Sequence, residues 1–318
     1  MPDFDLYSEP TVFILGAATS SPYGLPLGPQ LKQNILGYPD SQMQAFLGNQ
    51  QALAKLIPGF KAALQHGDYG TIDYFLERKK RYRELGAFYI VAVIGNQENP
   101  GNLFPQRELY ADLFHILDVE SDSPDIPTIS IVSLNYDRSL EYFLERNVEF
   151  NCCDDFEEHA RQKVRKLPII HAHGSLGEIS AVPYGQVAKN AASVHEATRR
   201  IKIVSDKLED SEEFQKARQM ISAARNLVFL GFGYHPTTLQ ALLAPCSLET
   251  KRVFGTAFQL PDKRKTEVTL FFKSAIHLGG ANQDCSLFLE HLGIGKRNLV
   301  RKKVAPPSTG CSSQASRT

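Results

Sequence analysis

Two short polar stretches contain the residues whose types and spacing could do chemistry. The first is Asn135-Tyr136-Asp137, which follows the uncharged, β-branched and apolar run Thr128–Leu134. The run predicts a buried strand, and apolar residues at helical spacing predict a helix over Arg138–Leu144. Such a turn lies at the carboxyl end of a sheet, where α/β proteins bind ligands. Asn135 and Asp137 could therefore bind a ligand, while Asp137 could instead be a plain helix N-cap, or do both.

The second stretch is His171-Ala172-His173-Gly174-Ser175, at the end of a strand predicted over Lys166–His173. Residues i and i+2 of a strand share a face, so both histidines could bind one metal ion, as in H-x-H hydrolases. Asp137 could add a carboxylate, but the sequence contains no second H-x-H or H-x-x-E-H set to complete a metal site. Two buried or capping histidines without a chemical role are the other interpretation.

Small residues follow the first predicted strand, Thr11–Leu15. The stretch Gly16-Ala17-Ala18-Thr19-Ser20 would let the main chain approach a phosphate, and a following helix N-terminus would supply N–H donors. The three-glycine fingerprint of dinucleotide-binding loops is missing, so an ordinary tight turn between a strand and a helix stays open as an alternative.

Other elements must bring these turns together. Apolar runs predict strands at Asn226–Leu230, which enters the turn Gly231-Phe232-Gly233, and at Arg252–Phe258. Helical patterns occupy residues of about 30–120 and 187–224. Strands that alternate with helical regions and end in small residues predict an α/β fold, with a Rossmann-like, doubly wound, mostly parallel sheet.

We expect one domain over residues 1–295, in which the two helical regions are insertions and the first forms a lobe over the sheet. Within the first insertion, the apolar run Phe88–Ile94 is interpreted as a buried helix rather than a strand. A polar, proline-bearing loop is predicted at Asp118–Pro127. The basic and then Ser-, Pro- and Gly-rich stretch 296–318 is predicted to be a disordered tail.

Composition excludes several classes of function. Lys and Arg number 35 and Asp and Glu also number 35, so no net charge attracts the chain to nucleic acid or to an anionic membrane. The start of the sequence lacks a signal-peptide pattern, and no run of about 18 apolar residues is present. None of the five cysteines forms a C-x-x-C pair, which argues against a zinc ribbon. We therefore expect a cytoplasmic protein with reduced thiols.

Taken in order, the motifs resemble those of the sirtuin-like family, specifically its bacterial branch used in anti-phage defence. Each match is short, but the order and spacing of the motifs resemble those of the family. Asn135 and His173, for example, are 38 residues apart (173 − 135 = 38). The matching stretches are Gly16–Ser20, Thr71–Leu76, Leu134–Asp137, His173–Ser175, Gly231–Gly233 and Gly255–Ala257.

This resemblance implies a site for NAD as the substrate, with no zinc. It implies that His173 takes a proton from water or a ribose hydroxyl, that Asn135 orients the water or the carboxamide, and that Asp137 holds the nicotinamide end. Asn135 and His173 are thus the predicted catalytic residues. The predicted NAD-binding residues are Gly16, Ala17, Ala18, Ser20, Asn135, Asp137, Gly231, Gly233, Gly255 and Thr256.

Departures from the family pattern bear on the reaction. Ala18 replaces the usual second glycine, Leu134 stands where protein deacylases usually have Gln, and Gly233 stands where many members have Ser. The four-cysteine zinc module of the deacylases is absent from the sequence. These departures favour an NAD hydrolase that releases nicotinamide and ADP-ribose. The alternatives are an NAD-dependent protein deacylase and a non-catalytic module that binds NAD or ADP-ribose.

The resemblance also implies partners. Defence relatives are held inactive until infection, since unrestrained NAD loss would kill the host. We therefore expect a homo-oligomer that pairs with a separate protein, for example a hexameric ATPase or an Argonaute-type protein. The alternative is a monomer whose apolar helical faces are all internal core.

Overall fold

A single parallel sheet forms the centre of the molecule. The structure is a computed structural model that describes residues 9–105, 108–117, 128–203, 211–244 and 246–294. Its strands are β1 (Thr11–Leu15), β2 (Ile129–Ser133), β3 (Ile169–His171), β4 (Asn226–Leu230), β5 (Arg252–Gly255) and β6 (Ile276–Leu278). Within these residues the six strands run in the order β3-β2-β1-β4-β5-β6, and every neighbouring pair is parallel.

This strand order confirms the predicted Rossmann-like, doubly wound sheet. The chain moves outward from β1 to β3, returns to place β4 beside β1, and then moves outward in the opposite direction. The direction of winding therefore changes between β1 and β4. In open α/β sheets, this is where the loops at the carboxyl ends diverge and leave a crevice for ligands.

Helices make up the two layers that enclose the sheet. In chain order they are α1 (Gly28–Gly37), α2 (Asp40–Leu47), α3 (Gln51–Ala54), α4 (Ile57–His66), α5 (Ile72–Arg78), α6 (Arg83–Gln97), α7 (Pro100–Leu103), α8 (Glu108–Ile116), α9 (Ser139–Asn151), α10 (Asp154–Lys166), α11 (Ala191–Arg200), α12 (Glu212–Ala223), α13 (Pro236–Leu243), α14 (Asp262–Phe271) and α15 (Cys285–His291). None of the helices in the described part of the chain is long and apolar enough to cross a membrane.

Alternating side chains of β1 show how the two layers are built. Phe13 and Leu15 pack into a core shared with α1–α11 and α15, whereas Val12 and Ile14 face α12–α14. All five residues of β1 are buried. Helices α1–α8, which lie between β1 and β2 in the chain, thus share one continuous core with the sheet.

Several predicted element bounds shift in the structure. The strands at Thr11–Leu15 and Asn226–Leu230 are as predicted, and Phe88–Ile94 lies within the buried helix α6. The strand predicted over Lys166–His173 is shorter, because α10 continues to Lys166 and Pro168 has no N–H to donate. The loop predicted at 118–127 and the tail predicted at 296–318 lie outside the described residues.

A buried ion pair joins α6 to the start of α9, directly behind the predicted site. Glu98 follows α6 and Arg138 precedes α9, and both side chains are almost fully buried. The guanidinium of Arg138 donates from Nε at 2.9 Å and from Nη2 at 2.5 Å to the Glu98 carboxylate. The same carboxylate accepts the main-chain N–H of Gly185 at 3.1 Å. Three segments far apart in sequence therefore meet at one carboxylate.

Candidate active site

A cleft of about 200 Å³ opens at the carboxyl ends of four strands, where the sheet changes its direction of winding. Loops after β1 to β4 line the cleft together with residues of α1, α5, α6 and α13. Predicted site residues that line the cleft are Gly16, Ala17, Ser20, Asn135, Asp137, His173 and Gly233. The sheet thus brings together residues more than 200 positions apart in the chain.

Asn135 is held in the cleft wall by its side-chain amide. Its Nδ2 lies 3.2 Å from the carbonyl oxygen of Gly16, 3.0 Å from Oγ1 of Thr19 and 3.0 Å from Oγ of Ser20. Its main-chain N–H donates to Oγ of Ser133 at 3.2 Å. Asn135 therefore ties the loop after β1 to the end of β2, in addition to any part that it takes in chemistry.

Asp137 is a buried carboxylate that caps α9. It accepts a hydrogen bond from the main-chain N–H of Ser139 at 3.1 Å, one residue earlier than the N-cap position, which Arg138 occupies. It also accepts the Ser20 hydroxyl at 3.2 Å. Burial raises the pKa of Asp137, and the hydrogen bonds from Ser139 and Ser20 oppose that rise. Asp137 thus caps α9 and also lines the cleft, and its binding of a ligand stays a prediction.

His173 has a buried and unpartnered ring nitrogen at the cleft. Its side chain is 7% exposed, and its Nε2 has no hydrogen-bond partner among the described residues. Burial lowers the pKa of His173, and the nearby Asp73 carboxylate opposes this only in part. A pKa below 6.5 favours the neutral imidazole at pH 7.

The main chain on both sides holds His173 in this position. Lys202 donates its N–H to the His173 carbonyl at 2.8 Å, and Gly174 donates to the His171 carbonyl at 3.0 Å. Gly174 has a φ of +73°, and a Cβ atom there would lie 1.9 Å from the carbonyl oxygen of Arg200. Only glycine fits this turn, which explains the glycine that follows His173 in the sequence.

His171 has partners of its own and does not line the cleft. Its Nδ1 lies 2.7 Å from the Asn135 carbonyl oxygen, and its Nε2 lies 2.5 Å from Oε1 of Glu141 in α9. Both ring nitrogens of His171 are thus occupied outside the cleft, so the structure does not bring His171 and His173 together as ligands of one metal ion. The described residues contain no group of three or more His, Cys, Asp or Glu side chains arranged to hold a metal ion.

The His171–Glu141 pair makes stability depend on pH. Burial by itself lowers the pKa of His171, but the Glu141 carboxylate and the hydrogen bonds outweigh it and raise the pKa from 6.5 to about 9. The folded protein thus keeps a proton that the unfolded chain releases near 6.5. Protonated His171 adds roughly 3 kcal/mol to the free energy of unfolding. This contribution is fully present below pH 6.5 and is lost as the pH rises through about 9.

We therefore expect the melting temperature of the wild type to fall between pH 6.5 and 9, and to fall much less in His171→Ala. At the acid end the pair persists until Glu141 is protonated, below its ordinary pKa of 4.5, because His171 counteracts the effect of burial on that carboxyl. Calorimetry across this range would measure the two slopes. Equal slopes would show that His171 is not protonated in the folded state.

Two glycines allow the loops after β1 and β4 to touch. A Cβ atom on Gly16 would lie 2.5 Å from the carbonyl oxygen of Gly231, and one on Gly231 would lie 2.6 Å from the Thr19 nitrogen. Gly231 also has a φ of +58°, which favours glycine. Gly16 lines the cleft, whereas Gly231 lies behind it and supports the loop after β1.

Four predicted NAD-binding residues, Ala18, Gly231, Gly255 and Thr256, do not line the cleft. The Ala18 N–H donates to the Gly231 carbonyl at 3.1 Å, and the Gly231 N–H donates to Oγ1 of Thr256 at 2.9 Å. Gly255 lies against Tyr234, whose hydroxyl would be 2.0 Å from an added Cβ. These residues form a supporting layer beneath the turn that includes Gly233.

Helix α5 contributes cleft residues that sequence reasoning missed. Asp73, Tyr74 and Glu77 face the cleft, while Ile72, Phe75 and Leu76 of the same helix are buried in the core. Asp73 also accepts the hydroxyl of Tyr136 at 2.8 Å. These positions lie in the helical region predicted over about 30–120, and the spacing of Asp73, Tyr74 and Glu77, three and four residues apart, was the signal of a second face.

Comparison with known families supports the resemblance to the sirtuin-like family. Residues 129–270, less than half of the chain, match the family model described as a SIR2-like domain. The match begins at β2, includes Asn135 and His173, and ends within α14. It supports the sirtuin-like family, whose domains generally act on NAD. No curated protein matches the chain.

Proposed function

We propose that this protein hydrolyses NAD to nicotinamide and ADP-ribose. The observation that carries the proposal is the buried, neutral imidazole of His173, whose Nε2 is unpartnered at the cleft. This cleft lies where Rossmann-like sheets bind dinucleotides. The SIR2-like match, which includes Asn135, Asp137 and His173, supports NAD as the substrate.

Residues of the cleft fit the pyrophosphate and the nicotinamide of NAD. Gly16 leaves no room for a side chain where the loop after β1 meets Gly231, which keeps main-chain N–H groups close to a bound phosphate. The nicotinamide ring of NAD is positively charged, and three carboxylates line the cleft, those of Asp73, Glu77 and Asp137. These negative charges would stabilise the cationic ring and the positive charge that develops on the ribose when the bond to nicotinamide breaks.

His173 would act as the general base. Because its pKa is lowered, the imidazole is ready at pH 7 to accept a proton from water or from a ribose hydroxyl. The water adds to the ribose carbon that loses nicotinamide, and its proton passes to Nε2 of His173. Asp73 lies on the same cleft and would favour the imidazolium that results.

One incubation tests the proposal against its rivals. Purified protein with NAD alone should release nicotinamide and ADP-ribose in equal amounts, as measured by chromatography. A deacylase would release nicotinamide only with an acetylated peptide and would remove the acetyl group, which a mass shift detects. A binding module would retain intact NAD in calorimetry without releasing nicotinamide.

A second test concerns Asn135, whose Oδ1 accepts no hydrogen bond from the described part of the chain. We expect Asn135→Ala to lower kcat by about 10²–10³-fold, as does the loss of one preorganised polar group in other enzymes. A moderate fall in melting temperature should accompany it, because Nδ2 also anchors the loop after β1.

The matched control is Asn49→Ala, at an exposed position outside the cleft. It should leave both kcat and melting temperature near the wild-type values. If Asn135→Ala lowers stability but turns over NAD at the wild-type rate, Asn135 has an architectural role alone.

We further propose that the enzyme is an effector that depletes NAD in anti-phage defence, and that it works as a homo-oligomer with a partner such as a hexameric ATPase or an Argonaute-type protein. This proposal is supported by the toxicity of NAD loss to the host, because such an enzyme must be held inactive until infection. Light scattering should give a mass above that of one 35.5 kDa chain. A monomer with full NAD turnover and no partner would contradict the proposal.

A further inference from the structure

We propose that His171 and Glu141 form a positioning pair that fixes the main chain of Asn135 for catalysis, an inference that rests on the proposed NAD hydrolysis. The pair is built from two elements, since His171 ends β3 and Glu141 lies in the first turn of α9. Neither residue lines the cleft that holds His173. Their effect on the reaction must therefore pass through Asn135.

The hydrogen bonds determine the protonation state of His171. The Asn135 carbonyl and the Glu141 carboxylate can only accept, so both ring nitrogens of His171 must carry a proton. His171 is thus an imidazolium that donates in two directions at once. The raised pKa of His171 agrees with this geometry. His173, two residues later, is the opposite case, with a neutral ring and an unpartnered nitrogen.

Asn135 is clamped on each side of its α-carbon. Its N–H donates to Ser133, its carbonyl accepts from His171, and its side-chain amide holds the loop after β1. Ser133 and His171 are register partners in neighbouring strands, so one strand pair supplies both main-chain contacts. Loss of the His171 donor would free the carbonyl and let the Asn135 amide rotate away from the position that the reaction requires. A misplacement of about 1 Å in an active site can lower the rate about 10²-fold.

Two substitutions separate the contact with Asn135 from the contact with Glu141. Counted in bonds from Cβ, the amide nitrogen of asparagine is at the same distance as Nδ1 of histidine. The amide nitrogen of glutamine is at the same distance as Nε2 of histidine. His171→Asn can therefore still donate to the Asn135 carbonyl, but it leaves Glu141 without its partner. His171→Gln can still donate to Glu141, but it leaves the Asn135 carbonyl free.

The inference predicts opposite orders for activity and stability. In nicotinamide-release assays, we expect kcat of His171→Gln and His171→Ala to fall by about 10²-fold with little change in KM, and that of His171→Asn to recover to within about tenfold of wild type. Melting temperature should follow the other order, with His171→Gln closest to wild type, because only that variant keeps the Glu141 carboxylate paired.

A kcat that follows melting temperature across the three variants would overturn the inference and leave the pair a purely structural contact. Wild-type kcat in His171→Gln would overturn it as well. These results differ from a failure of the proposed function, in which the wild type itself would release no nicotinamide. Because His171→Gln keeps the contact with Glu141, it should fold even if the alanine variant does not.

Discussion

His173→Ala is expected to lower kcat for NAD cleavage by about 10²–10⁴-fold, the range that a general base contributes. The expected loss follows from removal of the imidazole, whose buried Nε2 has no hydrogen-bond partner among the described residues. Because Nε2 has no hydrogen-bond partner among the described residues, the substitution breaks no hydrogen bond at that atom, and we expect only a moderate fall in melting temperature from the loss of a buried ring. Nicotinamide release and thermal denaturation measure the two effects.

His159 provides a control of the same residue type. It lies on α10, exposed and away from the cleft, so His159→Ala should retain the wild-type kcat and stability. Wild-type turnover in His173→Ala would remove His173 from the mechanism. A large loss of stability in the same variant would show that the ring supports the fold instead.

The largest effect on stability is expected at the buried ion pair. Glu98→Ala would leave the Arg138 guanidinium buried without its carboxylate and would also remove the acceptor of the Gly185 N–H. Breaking a buried pair by removing one partner costs about 3–5 kcal/mol, since the remaining charge is neither hydrated nor neutralised. Urea denaturation should therefore show a free energy of unfolding lower by this amount.

A second ion pair of similar chemistry but greater exposure supplies the comparison. Glu157 and Arg161 pair along one face of α10, and each side chain is about 30% exposed. Exposed pairs contribute about 0–1 kcal/mol, because water solvates the partner that remains. Glu157→Ala should thus cost little. If Glu98→Ala cost no more than Glu157→Ala, the burial of Glu98 and Arg138 would not be what stabilises this junction.

Local pattern was enough to predict most elements and the strand ends at the cleft. Runs of β-branched and apolar residues identified β1 and β4 with the bounds that the structure has. Polar residues directly after such runs identified Asn135 and His173 as cleft residues. Strand bounds were less accurate near Pro168, where β3 starts later than predicted because proline has no N–H to donate, and after Gly255, where the chain turns beneath Tyr234.

What the sequence by itself determined is the type of each element and the residues that end the strands, since both depend on the periodicity and chemistry of neighbouring residues. Only the tertiary structure decided which of those residues share a cavity. It separated His173 from His171, placed Thr256 beneath the cleft, and brought Asp73 to it from a helix. The physical reason is that such contacts join segments tens to hundreds of residues apart, and their geometry depends on strand order and helix packing rather than on local spacing.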